Sequence, residues 1–193
     1  MSQLLLVTDG SSITANNEKG FDAASAFVIY KDNKLIYKES ILLKNHTNNY
    51  AEMYAIYKGT KYIVENIREH GSELLVITDS QLCEKSLNEW MCGWLKKTNN
   101  EILYSTTGKV INQELIKSAY INILSLALIM DVYVCHINSH KSEKDIPKMY
   151  QKFLDKYVAK QPTIQMDMET FRLIFEGNQI VDQMAYNELN SIN

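Results

Sequence analysis

Apolar and polar positions follow two different periods along the chain, one typical of strands and one typical of helices. Residues 3–8 and 73–78 each contain four consecutive apolar residues, a pattern typical of short strands that are buried on both faces. From residue 49 to residue 69, apolar side chains recur every three or four positions, which predicts a long helix. Further strands are predicted at 22–30, 34–42 and 132–137, and further helices at 80–97, 112–130, 147–160 and 168–191.

The order of these elements predicts the fold class. Three strands, a helix, a strand, more helices and a fifth strand imply an α/β fold, in which helices cover the faces of a five-stranded mixed sheet. The polar stretch "KDNK" at 31–34 is typical of a hairpin turn between the second and third strands. The length of 193 residues, with no internal repeat or linker, favours one domain over 1–193.

Composition narrows the class of protein. Hydrophobic residues make up 46% of the chain and charged residues 22%, as in ordinary globular proteins. The net charge of −3 gives no general attraction for nucleic acid, so any such site must be a local patch. The three cysteines lack metal-ligand spacing and suggest a reducing compartment. Because we recognise no signal peptide and no membrane-spanning run, we expect a cytoplasmic protein.

Two of the predicted strands end in the same pair of residues. Thr8-Asp9 follows the first apolar run and Thr78-Asp79 follows the fourth. Ligands of open α/β sheets bind outside the carboxyl ends of the strands, so we expect the two carboxylates to meet there. The alternatives are an Asp-Gly turn after Asp9 and a helix N-cap at "TDSQ", residues 78–81.

Two predicted helices carry a further acid on a largely apolar stripe. Glu52 shares its stripe with Ala55, Ile56 and Gly59, so it faces the sheet from the first turn of the helix. Asp182 lies on the stripe of the last helix. The alternative for Glu52 is a capping box that begins at Asn49. The alternative for Asp182 is a partly exposed position at the edge of its stripe.

Four carboxylates that converge on one edge of a sheet repel one another strongly. Oxygen ligands with open water sites are what Mg²⁺ prefers, and two such ions about 3.5–4 Å apart form a clamp for phosphoryl displacement. A pair of such cations would relieve the repulsion, so the sequence predicts that Asp9 and Asp79 hold metal.

The motifs around these acids resemble those of ribonuclease H of the bacterial type. "TDGS" at 8–11, "TNNYAEMYAI" at 47–56, "TDSQ" at 78–81 and "GNQIVDQMA" at 177–185 match the four acid motifs of that family in order. The resemblance implies a ribonuclease H-like fold and an endonuclease that hydrolyses the RNA strand of RNA–DNA hybrids, giving 5′-phosphate and 3′-hydroxyl ends. It also implies that Asp9, Glu52, Asp79 and Asp182 hold two Mg²⁺ ions, for which Mn²⁺ can substitute. The implied partner is the hybrid itself, with no membrane and no obligatory protein partner.

The same resemblance implies roles for residues outside the acid set. "HINSH" at 136–140 is similar to the segment that carries the family's catalytic histidine, which makes His140 the counterpart. Amide side chains can read the 2′-hydroxyl that distinguishes RNA from DNA. For Trp90, in the stretch "SLNEWMCGWLKK", packing within the protein is the alternative to contact with substrate. The implied substrate contacts are Gly10, Ser11, Asn48, Asn49, Gln81, Trp90, Lys96 and Lys97.

The chain departs from the family pattern before its last helix. A helical insertion is expected at about 141–176, between His140 and Asp182. Its predicted helix carries a ridge of lysines at every fourth position, and we expect Lys152 and Lys156 to bind substrate through the phosphate backbone. The alternative is a solvated face that keeps the added helix soluble.

Two other functions fit the same residues. One is a DNA-directed nuclease or junction resolvase on the same fold, against which the amides Asn48, Asn49 and Gln81 count, because DNA has no 2′-hydroxyl to read. The other is a non-catalytic module that binds hybrids. A clustered set of four acids counts against it, because without metal such a cluster only destabilises the fold.

Overall fold

The computed structural model of the chain describes residues 2–14, 21–67, 71–98, 101–139 and 141–191. Within these ranges the strands form one five-stranded mixed sheet, which confirms the predicted fold class. The strands are β1 (Gln3–Thr14), β2 (Phe21–Lys31), β3 (Lys34–Leu43), β4 (Glu73–Thr78) and β5 (Asp131–His136). Their order across the sheet is β3-β2-β1-β4-β5.

Strands β1, β4 and β5 run parallel, whereas β2 and β3 form an antiparallel hairpin beside β1. The hairpin turn lies where the sequence predicts it. Asp32 and Asn33 have φ angles of 49° and 62°, and two consecutive positive φ values are the mark of the tight turn that suits a twisted hairpin.

The first strand is longer than predicted. Its parallel pairing with β4 does end at Thr8, opposite Thr78, but β1 continues to Thr14 by pairing with β2 alone. Asp9 therefore lies inside a strand, opposite Ala26, and not in a turn. The apolar run ends at Val7 because only up to that point is β1 flanked by strands on both sides.

Six α-helices lie in the described part of the chain. They are α1 (Asn48–Asn66), α2 (Gln81–Lys85), α3 (Met91–Lys96), α4 (Gln113–Ala127), α5 (Ile146–Phe153) and α6 (Met168–Asn190). The predicted helix at 80–97 is α2 and α3 joined by a π-helical turn, Ser86–Trp90, and the one at 147–160 is α5 followed by a second π-helical turn, Leu154–Val158. None of the helices in the described ranges combines the length and hydrophobicity needed to cross a membrane.

Alternation along the central strands divides the core between the two faces of the sheet. Leu4 and Leu6 pack with α1 and α4 on one face, whereas Leu5 and Val7 pack with α5 and α6 on the other. Burial on both faces explains the continuous apolar runs that predicted β1 and β4.

The segment between β5 and α6 packs tightly on the domain. Met149 and Phe153 of α5 are buried with Phe171 of α6, so the predicted apolar stripe does face the core. At the opposite edge of the sheet, the buried Glu73 carboxylate accepts hydrogen bonds from Gln3 Nε2 at 2.6 Å and from the Gln165 backbone at 3.2 Å. The insertion is therefore anchored at both ends of β4.

Candidate active site

Asp9 carries a buried carboxylate and is the first residue of β1 beyond the part that pairs with β4. Its side chain is 6% exposed, and Oδ1 accepts a hydrogen bond of 2.7 Å from the backbone N–H of Gly10. The preceding Thr8 donates its hydroxyl to the carbonyl of Ile77 on β4. That bond ties β1 to the end of β4, so Asp9 and Asp79 directly follow the last residue pair of these two parallel strands.

Gly10 lets helix α1 approach β1 closely. A Cβ atom at this position would lie 2.3 Å from the backbone nitrogen of Glu52, closer than real Cβ contacts come. From β2, Ser25 donates its hydroxyl to the carbonyl of Ala51 at 2.7 Å. These contacts hold the first turn of α1 against the sheet and bring Glu52 to the same edge as Asp9.

The Glu52 carboxylate faces the site and does not cap its helix. The N-cap is Thr47, whose hydroxyl accepts from the N–H of Tyr50, so the alternative of a capping box that begins at Asn49 is wrong. Glu52 accepts instead from Asn48 Nδ2 at 2.9 Å and is hydrogen-bonded by the Ser80 side chain. Burial raises the pKa of Glu52, Asp79 adds to this, and the two hydrogen bonds oppose it.

Asp79 has a neighbour that caps helix α2 in its place. Ser80 is the N-cap, with its hydroxyl accepting from the N–H of Cys83. Asp79 Oδ1 is buried and has no hydrogen-bond partner among the described residues. A buried carboxylate oxygen left unpaired costs free energy, so the position is set up for a ligand and not for folding alone.

Asp182 reaches the site from α6 and is more exposed than the other three acids. It lies between the buried residues Val181 and Ala185, at the edge of the helix face that packs on the sheet. Its exposure matches the alternative of an edge position. It is nevertheless close enough to raise the pKa of Asp9.

The electrostatics of Asp9 show that the four acids act on one another. The pKa of Asp9 is raised to about 8, chiefly by burial and then by the charges of Asp79, Asp182 and Glu52, against the hydrogen bond from Gly10. We call Asp9, Glu52, Asp79 and Asp182 the acidic rim. Among the described residues, no three Asp, Glu, His or Cys side chains close around a single point in the way that metal ligands do.

The donor set of the acidic rim fits a hard divalent cation. It offers carboxylate oxygens, the ligands that Mg²⁺ and Mn²⁺ prefer over sulfur or imidazole. The unpaired Asp79 Oδ1 and the raised pKa of Asp9 both indicate that the described residues do little to stabilise these carboxylates as anions, which a cation would do. Binding of a cation would have to draw the side chains together.

A cleft of about 570 Å³ opens beside the acidic rim. We call it the rim cleft. Asn49 and Gln81 line it, as expected of residues that contact substrate. Asn138, Ser139 and Lys141 also line it, although no role was predicted for them. These three residues could have been predicted from their position, because they directly follow β5, a strand that runs parallel to β4. His140 lies outside the described residues. The full lining is Asn49, Glu52, Asp79, Ser80, Gln81, His136, Asn138, Ser139 and Lys141.

The remaining expected substrate contacts fall into different surroundings. Asn48 binds Glu52, Gly10 is buried against α1, and Ser11 is half-buried on β1. A separate cleft of about 610 Å³ is lined by Trp90, Trp94 and Lys97 among others.

The alternative of internal packing suits one tryptophan better than the other. Trp94 packs against the core, whereas Trp90 is 39% exposed. Lys96 is exposed and does not line that cleft. Lys152 and Lys156 line a third cleft, next to the rim cleft.

Comparison with known proteins identifies relatives for most of the chain. The model of the RNase H family matches residues 1–161, a range that ends before Asp182. Ribonuclease H of Campylobacter jejuni is 35% identical over 98 residues, which are 50% of this chain and 60% of that protein. The match thus spans well under the full length of that relative. The Pro-Pol polyprotein of feline foamy virus is 28% identical over 175 residues, 86% of this chain and 14% of the polyprotein.

Solved structures show the same fold. The PFV RNase H domain superposes with a TM-score of 0.62 at 21% identity and covers 96% of this chain and 93% of that one. The foamy viral protease-reverse transcriptase in complex with RNA/DNA hybrid gives a TM-score of 0.63 at 20% identity, over 95% of this chain and 19% of the other. The expected ribonuclease H-like fold is thereby confirmed.

Proposed function

This chain belongs to the RNase H family, and from that premise we propose that it is a metal-dependent endonuclease that hydrolyses the RNA strand of RNA–DNA hybrids. Its expected products carry 5′-phosphate and 3′-hydroxyl ends. Two relatives support the choice of substrate: the curated Campylobacter jejuni protein is a ribonuclease H, and the foamy viral enzyme was solved with an RNA/DNA hybrid.

One observation carries the proposal. Three separate elements, β1, α1 and β4, bring Asp9, Glu52 and Asp79 to a single edge of the sheet, although the charge of Asp79 raises the pKa of both Asp9 and Glu52. The fold gains nothing from this arrangement, and Asp79 Oδ1 stays unpaired within the described residues. A buried, unpaired group with perturbed neighbours is the expected signature of a functional site.

In the proposed enzyme, Asp9, Glu52, Asp79 and Asp182 hold two Mg²⁺ ions. When bound, such ions polarise a phosphodiester and lower the pKa of the attacking water, which is the chemistry that phosphoryl displacement needs. The protein's own part is to fix the carboxylates: Gly10 and Ser25 hold α1 against the sheet, and Thr8 ties β1 to β4.

Selectivity for RNA would come from the amides that line the rim cleft. Asn49 and Gln81 are exposed and can both donate to and accept from a 2′-hydroxyl. Asn48 is the less suitable candidate, because its amide already donates to Glu52. We therefore assign recognition of the RNA strand to Asn49 and Gln81, and assign positioning of Glu52 to Asn48.

The proton transfer or product release that follows attack is assigned to His140. The described residues on either side of it, Ser139 and Lys141, both line the rim cleft. His136 also lines the cleft, but burial and Lys156 lower its pKa, so less of it carries a proton to donate near neutral pH. Replacing His140 by alanine should slow turnover about 10²-fold and leave hybrid affinity unchanged.

The proposal is tested by hydrolysis of a hybrid whose RNA strand is labelled at its 5′ end, with Mg²⁺ present. We expect a ladder of RNA fragments with 3′-hydroxyl ends and an intact DNA strand. Asp79→Asn should abolish the ladder, while the matched control Asp131→Asn, at the other end of β5, should leave it unchanged. Cleavage of the DNA strand instead would identify a DNA-directed nuclease, and tight binding without any cleavage would identify a non-catalytic module.

A further inference from the structure

A third cleft adjoins the rim cleft and is built largely by the insertion. Gln81, His136 and Asn138 line both, so the two clefts are continuous. We call this third cleft the insertion cleft; its volume is about 210 Å³. It is lined by Gln81, His136, Ile137, Asn138, Met149, Lys152, Phe153, Lys156, Tyr157 and Phe171. Two of these residues are lysines and none carries a negative charge, in contrast to the rim cleft.

The wall of the insertion cleft is fixed to the sheet by Tyr157. Its hydroxyl accepts a hydrogen bond of 2.7 Å from the backbone N–H of His136 and donates one of 3.2 Å to Glu84. β5 is the outer strand of the sheet, so Tyr157 replaces the strand neighbour that His136 lacks. The lysines on this side of the insertion are therefore held at a defined distance from the end of β5.

The two lysines of the cleft have different surroundings. Lys156 Nζ lies 3.2 Å from the carboxylate of Glu84, which is 5% exposed, and 4.8 Å above the ring of Tyr157. Its charge balances a buried acid. Lys152 is exposed and forms no ion pair with any residue that the structure describes. Of these two lysines, only Lys152 carries a charge that no acid among the described residues balances.

We propose that Lys152 binds a phosphate of the substrate backbone where the nucleic acid runs from the rim cleft into the insertion cleft, and that Lys156 serves the fold. The proposal rests on the proposed function and adds a contact that lies in the insertion. A chain with a net charge of −3 and an acidic rim must concentrate positive charge near the path of a polyanion. Among the residues that line the insertion cleft, Lys152 is the cation with no acid paired to it in the described part of the chain, and it extends positive charge beyond Lys141 of the rim cleft.

The test is the salt dependence of hybrid binding, measured by fluorescence anisotropy in EDTA so that no cleavage occurs. The association constant K falls as salt rises, and loss of one phosphate contact makes the slope of log K against log salt less steep by about 0.7–0.9. For Lys152→Gln, the affinity deficit relative to wild type should therefore shrink about threefold between 50 and 200 mM KCl. Lys152→Arg should keep the wild-type slope, because guanidinium also binds phosphate.

Lys148→Gln is the matched control, since Lys148 is an exposed lysine of the same helix that does not line the cleft. It should leave the slope close to wild type. Equal flattening in both glutamine variants would overturn the assignment to the cleft, and an unchanged slope for Lys152→Gln would overturn the contact itself. Both outcomes assume that the wild type binds hybrid; if it does not, the proposed function has failed instead.

Discussion

Removing the charge of Asp9 should destroy activity and stabilise the metal-free protein. In Asp9→Asn, the amide oxygen keeps the acceptor for the N–H of Gly10, which lies 2.7 Å from Oδ1 in the wild type. The new NH₂ group adds a donor beside Asp79, whose Oδ1 has no partner among the described residues. The substitution therefore preserves shape and removes repulsion.

The size of the effect follows from the pKa of Asp9. That pKa is raised from 3.8 to about 8, chiefly by burial and then by the charge of Asp79. One pKa unit corresponds to about 1.4 kcal/mol, so the charged form costs at most about 6 kcal/mol at high pH. Protonation of a neighbouring carboxyl relieves part of this cost. We expect Asp9→Asn to gain about 1–3 kcal/mol at pH 8, which raises the Tm by about 2–4 °C for each kcal/mol.

The sign of the pH dependence is a second readout. Because the folded state binds the Asp9 proton more tightly than the unfolded state does, the free energy of unfolding should fall as pH rises from about 4 to about 8, and level off above. Burial raises the pKa of Glu52 too, so some slope should remain in Asp9→Asn, but a smaller one.

The assay is thermal and urea unfolding in EDTA from pH 4 to pH 9, for wild type, Asp9→Asn and Asp131→Asn. Asp131 is exposed and lies at the opposite end of the sheet, so its substitution should change the Tm little. The reasoning would be refuted if Asp9→Asn were no more stable than wild type at pH 8, or if its stability fell with pH as steeply.

Three further predictions concern the supports of the site. Gly10→Ala should destabilise the protein by about 1–3 kcal/mol and lower kcat, because a Cβ placed 2.3 Å from the nitrogen of Glu52 must push α1 away; wild-type stability and rate would contradict the close approach. Lys156→Gln should lower the free energy of unfolding in urea by about 1–3 kcal/mol at neutral pH, because it leaves the Glu84 carboxylate with one neutral partner, Tyr157, among the described residues. An unchanged midpoint would show that the ion pair contributes nothing to stability. Asn49→Ala and Gln81→Ala should each lose about 1 kcal/mol of preference for hybrid over DNA duplex in competition binding, and retained preference in both would remove them from recognition.

The arrangement of the sheet could be predicted because it depends on local patterns. Burial on both faces produces continuous apolar runs, and the runs at 3–8 and 73–78 are the central parallel strands. The length of β1 could not be predicted in this way. Beyond Val7 the strand pairs with β2 alone, and the polar residues there, Asp9 to Ser12, carry no strand signal.

The ends of helices were harder to predict than their existence. Asn49 and Thr47 are both plausible caps by residue type, and the choice depends on where the chain leaves β3, which is a tertiary property. The same holds at α2, where Ser80 takes the N-cap and leaves Asp79 for the site. At both helix starts a hydroxyl side chain forms the cap, which leaves the nearby acid, Glu52 or Asp79, available to the site.

Contacts between segments that are far apart along the chain could not be predicted from the sequence. Periodicity shows that Lys152 and Lys156 lie on one ridge of a helix, but not that Glu84 lies under one of them. The ion pair joins residues 72 positions apart and divides a uniform ridge into a structural lysine and an available one. His136 lines the rim cleft although it lies within β5, because β5 runs parallel to β4 and ends beside it.

The central claim is that the chain cleaves RNA only when it is paired with DNA, and the most direct test is hydrolysis of three duplexes of one sequence. RNA–DNA, DNA–DNA and RNA–RNA duplexes should be incubated side by side with Mg²⁺ and with EDTA. We predict cleavage of the RNA strand in the first duplex alone, and no cleavage of any duplex in EDTA. Cleavage of the DNA duplex at a comparable rate, or cleavage of the hybrid that persists in EDTA, would contradict the account.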